Sequence, residues 1–255
     1  MMKLSVVIPV YNAASFIEDA VRGLLSSLGQ RGGAYELVLV NDGSSDDSAD
    51  RLRRLESEQV RVALLPENRG KFGAIRAGME MATGTCRVFT DADVPYDHAA
   101  ILYAEHLVND RQFHLVIGDR TLPGSQYGEK LPPLRRMATG VFSHIIRLFF
   151  TGGLADTQCG LKGFRGDVAG AIFPLLREHG FAGDVELLYI ALKYNLEIRR
   201  IPVRLQRTGK STVHPYRHGL SMLRALTRLR GRWKSGCYAN DHLASLARQA
   251  YWEPG

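Results

Sequence analysis

The 255-residue sequence is poor in cysteine. Cys86, Cys159 and Cys237 stand far apart, which excludes a disulfide framework and any Cys-x-x-Cys zinc site. No stretch approaches the roughly 18–20 uninterrupted apolar residues of a membrane-spanning helix. The opening residues, Met1-Met2-Lys3-Leu4-Ser5-Val6-Val7-Ile8-Pro9, run into an apolar strand without the small-residue cleavage pattern of a signal peptide. The expectation is a soluble protein of a reducing compartment. G-x-G-x-x-G, Walker A, G-x-S-x-G and H-E-x-x-H are all missing, so the dinucleotide, P-loop, hydrolase-elbow and zincin templates fail. There is no internal repeat and no low-complexity tract.

Acids are missing from one long stretch. Lys plus Arg number 33 and Asp plus Glu 26, a net charge of +7. Residues 199–234 hold 11 Lys/Arg and no acid, so the rest of the chain is net −4. A field confined to one block attracts an anionic partner: nucleic acid, a phosphorylated substrate or an acidic membrane face. Within it Leu220, Leu223, Leu226, Leu229 and Trp233 recur at helical spacing among Arg224, Arg228, Arg230 and Arg232. That pattern suits a basic amphipathic helix on an anionic leaflet. It suits equally an ordinary helix packed on the domain or on a second subunit.

What is present alternates strand and helix. Leu4–Pro9 and Glu36–Val40 are apolar, β-branched runs ended by turn residues; Val60–Leu65, Cys86–Thr90 and His114–Gly118 repeat the pattern more weakly. Ser15-Phe16-Ile17-Glu18 reads as a capping box opening a helix, with Ile17, Val21, Leu24, Leu25 and Leu28 on one face. Ser44/Ser45 with Asp46 and Asp47 open a second helix. Ala74–Ala82 and Ala99–Val108 supply two more. Further on, the pattern predicts a loop over 119–134, helices at Leu134–Phe150, Asp167–His179 and Asp184–Tyr194, and a strand at Glu197–Val203. Apolar strands separated by amphipathic helices predict an α/β fold, with a mainly parallel sheet covered on both faces. Ligands of such sheets bind beyond the carboxyl ends of the strands.

Three of those ends are polar: Tyr11-Asn12, then Asn41-Asp42-Gly43-Ser44-Ser45-Asp46, then Asp91-Ala92-Asp93. Two carboxylates at i and i+2 after a buried strand can share one hard divalent cation, Mg²⁺ or Mn²⁺, completed by substrate phosphate and water. Asp42 reads either as a turn or cap residue or as an acceptor for a nucleobase N–H. Asn68-Arg69-Gly70-Lys71, at a helix start, is a plausible anion site. For Gly73 and Gly78, close packing competes with ligand contact.

The four motifs Val6-Val7-Ile8-Pro9-Val10-Tyr11-Asn12, Val40-Asn41-Asp42-Gly43-Ser44-Ser45-Asp46, Asn68-Arg69-Gly70-Lys71 and Asp91-Ala92-Asp93 resemble, in order and spacing, glycosyltransferase family 2, the inverting GT-A enzymes. Gly118-Asp119-Arg120, Asp156–Phe164 and Gly183–Leu188 are similar to its polyprenyl-phosphate branch, the dolichyl-phosphate glucosyl- and mannosyltransferases. The resemblance implies a GT-A domain over 1–215, with 216–255 as a basic amphipathic extension. It implies that Pro9, Tyr11, Asn12 and Glu18 border a nucleoside pocket, that Asp42 holds the base, and that Gly70 and Lys71 approach it. Asp91 and Asp93, with Ala92 between, would take Mg²⁺ or Mn²⁺ and through it the diphosphate. Arg120, Arg135 and Arg136 would face an acceptor phosphate. Arg207 and Lys210 resemble the loop that closes over the donor; Asp156 and Asp184 join Asp93 as candidate catalytic carboxylates. Asp119 departs from the family, where Ser is commoner. The implied substrates are a nucleoside-diphosphate sugar, UDP-glucose favoured over GDP-mannose, and a polyprenyl phosphate.

A phosphate acceptor, largely ionised near neutrality, needs positioning cations more than a base; a sugar hydroxyl needs a carboxylate base such as Asp156 or Asp184. The expected location is cytoplasmic, peripheral at the cytoplasmic face of a membrane; an oligomer is compatible with the sequence. Rival readings are weaker. An aspartyl-phosphate phosphohydrolase places its Asp pair on the first strand, and here three strand–helix units come before it. A nucleic-acid binder would lack a stacking surface and meet repulsion from Asp42, Asp91 and Asp93. Against a sugar-nucleotide-binding module that has lost catalysis counts the intact Asp91/Asp93 pair.

Overall fold

The computed structural model describes residues 3–126, 150–180, 182–206 and 227–249. Arg135, Arg136, Arg207 and Lys210, and the helix expected at 134–150 up to Phe150, lie outside them. The elements run β1 (Lys3–Val10), α1 (Ile17–Arg31), β2 (Ala34–Asn41), α2 (Ser48–Leu55), β3 (Val60–Leu64), α3 (Lys71–Met81), β4 (Cys86–Phe89), α4 (His98–Asn109), β5 (Leu115–Asp119), β6 (Lys162–Arg165), α5 (Gly166–Ile172), α6 (Ala182–Lys193), β7 (Ile198–Pro202) and α7 (Asp241–Arg248). A helical stretch also occupies 227–234.

Seven strands form one sheet in the order β3-β2-β1-β4-β6-β5-β7. All pairings are parallel except those of β6, which runs antiparallel to both β4 and β5. The period-2 alternation of β1 explains why both faces are buried: Leu4, Val6, Ile8 and Val10 enter one apolar cluster, and Val7 the other. The first cluster is closed by α1, α2 and α4 through Ile17, Val21, Leu24, Leu52, Ile101 and Val108. The second is closed by α3, α5 and α6 through Phe72, Ile75, Met79, Val168, Ile172 and Ile190. Gly78 serves close packing: a Cβ there would lie 2.3 Å from Val7 Cγ1, so only glycine lets α3 settle onto β1.

Several expectations are corrected. No capping box forms: the chain enters α1 through a turn in which the Phe16 and Ile17 amides donate to Ala13 O at 3.1 and 3.0 Å, and the cap falls on Phe16, without a side-chain bond, rather than on Ser15. Helix α2 starts at Ser48, since Ser44 and Ser45 are spent on Asn12. The helix expected over 167–179 stops at Ile172; Pro174 permits only a 3₁₀ turn, Phe173–Leu175, before an extended loop. Strand β6 was not expected, because Lys-Gly-Phe-Arg carries no apolar run. Residues 227–249 of the C-terminal segment contribute Leu229, Tyr238, Leu243 and Leu246 to the same core as α3 and α6. Leu229 is thus turned inward, and Trp233 packs edge-on against Tyr189 and Tyr194, so the apolar side of this stretch faces protein. No helix of the described residues is long and apolar enough to cross a membrane.

Candidate active site

Parallel pairing brings the polar strand ends to one rim. Val10 is level with Asn41, Val7 with Phe89, and the amides of Asp42 and Thr90 bond to Val10 O and Val7 O at 2.8 and 3.1 Å. Because β6 runs backwards, its first residue, Lys162, stands beside both Phe89 and Ile117 at that same rim.

Around the rim lie three ion pairs. Lys71, first residue of α3, places Nζ 2.5 Å from Asp91 Oδ1. Lys162 Nζ, fully buried, donates to Asp184 Oδ1 at 2.5 Å and to Cys159 O at 2.8 Å. Arg120, just past β5, forks onto Asp156 through Nε at 2.6 Å and Nη2 at 2.8 Å, and its amide adds a third bond at 3.0 Å. Burial raises the cost of a charge on Asp91, but Lys71, Lys162 and Arg120 outweigh it and hold its pKa below the usual carboxylate value. Asp156 follows the same logic, with burial overcome by the Arg120 bonds. Burial also opposes the Lys71 ammonium, yet Asp91 and Asp184 prevail and raise its pKa.

Asp91 is fixed as well as paired. The Val94 amide donates to Asp91 O at 2.9 Å, and Val94 itself, buried, holds φ at 42°, a left-handed value that a β-branched residue adopts only under constraint. A Cβ on Gly160 would stand 1.8 Å from Asp91 Oδ2. The carboxylate therefore occupies a cradle that only glycine leaves open. Asp93, two residues on, is partly exposed. Together the two offer hard oxygen donors, the set that suits Mg²⁺ or Mn²⁺. Among the described residues no three His, Cys, Asp or Glu side chains gather closely enough to hold a metal unaided. The pair fits a cation whose remaining ligands are water and substrate oxygens.

The other expected residues are distributed around this centre. Tyr11 is 51% exposed at the end of β1, and Pro9 is buried within that strand. Asn12, at φ 49°, binds the neighbouring loop: its amide donates to Ser44 Oγ and its Oδ1 accepts from the Ser45 amide. Glu18 faces α2, with Oε1 3.7 Å from Arg51. Asp42 is buried, and its Oδ1 accepts from the Arg69 amide at 2.7 Å, which shapes the turn into α3. Burial lifts its pKa although the Arg69 and Gly70 amides pull the other way. Gly70, at φ 77°, caps α3 with its Cα against the His179 carbonyl. Asp119 is wholly buried, taken up by Arg200 and by both donors of Thr121, a structural post that accounts for an acid where a serine is commoner. Sequence reasoning missed Lys162 and the cradle at Gly160, and the signal available was their place in the Asp156–Phe164 motif.

The rim thus gathers paired carboxylates and cations at the strand ends of a mixed α/β sheet. The family model "Glycosyl transferase family 2" matches residues 5–176, and the chain belongs to that family. It is 30% identical over 248 residues to the dolichyl-phosphate beta-glucosyltransferase of Dictyostelium discoideum, covering 92% of this chain and 76% of that protein. The dolichyl-phosphate beta-glucosyltransferase of Homo sapiens is likewise 30% identical over 250 residues, covering 92% and 77%. Among solved structures, mannosyl-3-phosphoglycerate synthase from Rubrobacter xylanophilus superposes with a TM-score of 0.71 at 16% identity, over 100% of this chain and 78% of that one. Glucosyl-3-phosphoglycerate synthase from Mycobacterium tuberculosis, solved in complex with Mn²⁺, uridine diphosphate and glucosyl-3-phosphoglycerate, gives 0.64 at 19%, over 90% and 80%. The fold is GT-A, and the protein is a glycosyltransferase.

Proposed function

We propose that this glycosyltransferase moves a hexose, glucose first among candidates, from a nucleoside diphosphate to a polyprenyl, dolichyl-type phosphate with inversion. The relatives support the acceptor class through their printed activity. The observation that carries the reading is the state of the carboxylates. Asp156 is clamped by Arg120 and held ionised, and Asp184 is buried against Lys162, so neither is poised to take a proton from a hydroxyl. An acceptor already anionic, with a second phosphate pKa of about 6, needs no such base.

The residues then divide the work. Tyr11 offers an exposed ring to the base, Pro9, Asn12 and Glu18 border that side, and Asp42 shapes its floor. Asp91 and Asp93 would hold Mg²⁺ or Mn²⁺, which when bound supplies a Lewis acid for the leaving diphosphate. Lys71, paired with Asp91, is the candidate to reach the same diphosphate, and Arg120, paired with Asp156, the candidate for the wall towards the acceptor. Arg135, Arg136, Arg207 and Lys210 complete the set as candidates for acceptor and donor contact. Contact with an anionic membrane surface at the cytoplasmic face would, for residues 227–234, work through the exposed Arg228, Arg230 and Lys234, because Leu229 and Trp233 face inward.

The test is transfer of radiolabelled sugar from UDP-glucose or GDP-mannose, with Mn²⁺ or Mg²⁺, to short polyprenyl phosphates and to sugar hydroxyl acceptors. Transfer to the lipid phosphate is expected, with Asp156→Asn lowering turnover modestly. Transfer to hydroxyl acceptors alone, or a folded Asp156→Asn protein with no turnover, would place the chemistry in the hydroxyl class.

A further inference from the structure

The resemblance puts Lys71 beside the nucleoside, but its ammonium lies on Asp91, the first carboxylate of the candidate cation site. The backbone there is pinned. The Phe72 amide donates to His179 O at 2.8 Å, the Gly70 amide to Asn68 Oδ1 at 3.0 Å, and Gly70 rests on the His179 carbonyl. The Lys71 side chain itself is partly exposed beside Asp91. Its position is also unfavourable for the helix: α3 has no acid in its first turn and begins with a cation, where the macrodipole favours an anion. Asp91 offsets that, and its Oδ2 lies in the space that a Cβ on residue 160 would take.

We propose that Lys71 is the resident counter-cation of Asp91, so that a divalent ion binds well only when a nucleoside diphosphate arrives with it to receive the displaced ammonium. This rests on the cation and donor reading given above. The charge count supports it. Lys71, Lys162 and Arg120 pair with Asp91, Asp184 and Asp156, so a dication approaching Asp91 meets a carboxylate that a cation already matches. A dication accompanied by a diphosphate adds little net charge, and Lys71, released at the N-terminus of α3, turns to the phosphate oxygens. Linkage then requires that the diphosphate raise cation affinity by the factor by which the cation raises diphosphate affinity.

Mn²⁺ titration followed by electron paramagnetic resonance, on the full chain with and without UDP, tests this without turnover. In the wild type, UDP is expected to tighten Mn²⁺ about tenfold or more, within the roughly 5–150-fold typical of coupled sites. Lys71→Gln should bind Mn²⁺ alone about tenfold more tightly than wild type and lose most of the coupling; Lys71→Arg should keep it. Thermal melting checks that each variant is folded. A Lys71→Gln protein that binds Mn²⁺ alone no better than wild type, while wild type still binds it with UDP, overturns the inference and spares the site. No Mn²⁺ binding to wild type even with saturating UDP overturns the site reading, and the inference with it.

Discussion

Gly160→Ala is the most direct probe of the centre. Gly160 is outside the left-handed region, so its backbone accepts alanine, and only the added methyl matters. That methyl would sit 1.8 Å from Asp91 Oδ2 and 2.5 Å from its Cγ, which calls for a displacement of more than about 1 Å. Neither side yields cheaply. Asp91 is tied by Lys71 and by the Val94 turn; Cys159 O is held by Lys162, and the Cys159 thiol packs on Gly118. Overpacking of this kind costs roughly 1–3 kcal/mol. A carboxylate moved by about 1 Å from its working position costs on the order of 10²-fold in rate. Gly170→Ala on α5, where a Cβ meets nothing within 4 Å, is the control and should be neutral or slightly stabilising. Initial rates of sugar transfer and thermal melting, measured side by side, decide the matter. A Gly160→Ala protein with wild-type turnover and an unchanged melting temperature would refute the cradle.

Lys162→Met leaves Asp184 buried without its cation and should cost roughly 3–5 kcal/mol in urea unfolding, with the Lys162→Met/Asp184→Leu double variant recovering much of it; equal stability of the single variant would contradict a working ion pair. At the opposite rim, Glu36 is buried, accepts from Ser5 and twice from Thr83, and lies 3.2 Å from Lys3. Burial opposes its charge, but these partners bring its pKa down from about 4.5 to about 2. The folded pKa is depressed, so the contribution, at most about 3 kcal/mol, is complete above about pH 4.5 and is lost as pH falls towards 2. Glu36→Gln should flatten the acid limb of a stability–pH curve, and an unaltered limb would show that other groups set it.

The first half of the chain was legible because local pattern and tertiary environment agree there. Strands β1 and β2 and helices α1, α3 and α4 fall where apolar periodicity puts them, to within a few residues. The acidic loops meet because parallel strands share a carboxyl end. The pattern misled where the deciding contact lay outside the residues that carry it. Ser15 and Glu18 have the spacing of a capping box, but a turn on Ala13 leads the chain into α1 and moves the cap on to Phe16. Lys162 and Arg165 disguise β6, since a strand carrying two cations is buried only if partners such as Asp184 and Asp167 arrive from other elements. The C-terminal segment presents the same problem. Its Arg232 and Tyr238 converge on Glu186 of α6, whose other oxygen accepts from the Arg177 and Glu178 amides, a junction that no local window reveals.

The reversed course of β6 has a practical corollary. The chain departs past Asp119 and comes back at Lys162 on the same side of the sheet, so the excursion between them begins and ends within one neighbourhood. The excursion is nonetheless stitched to the sheet early on: the Gln126 amide donates to Val203 O at 3.1 Å and its carbonyl accepts from the Leu205 amide at 2.9 Å, so a replacement of another length has to keep that bridge.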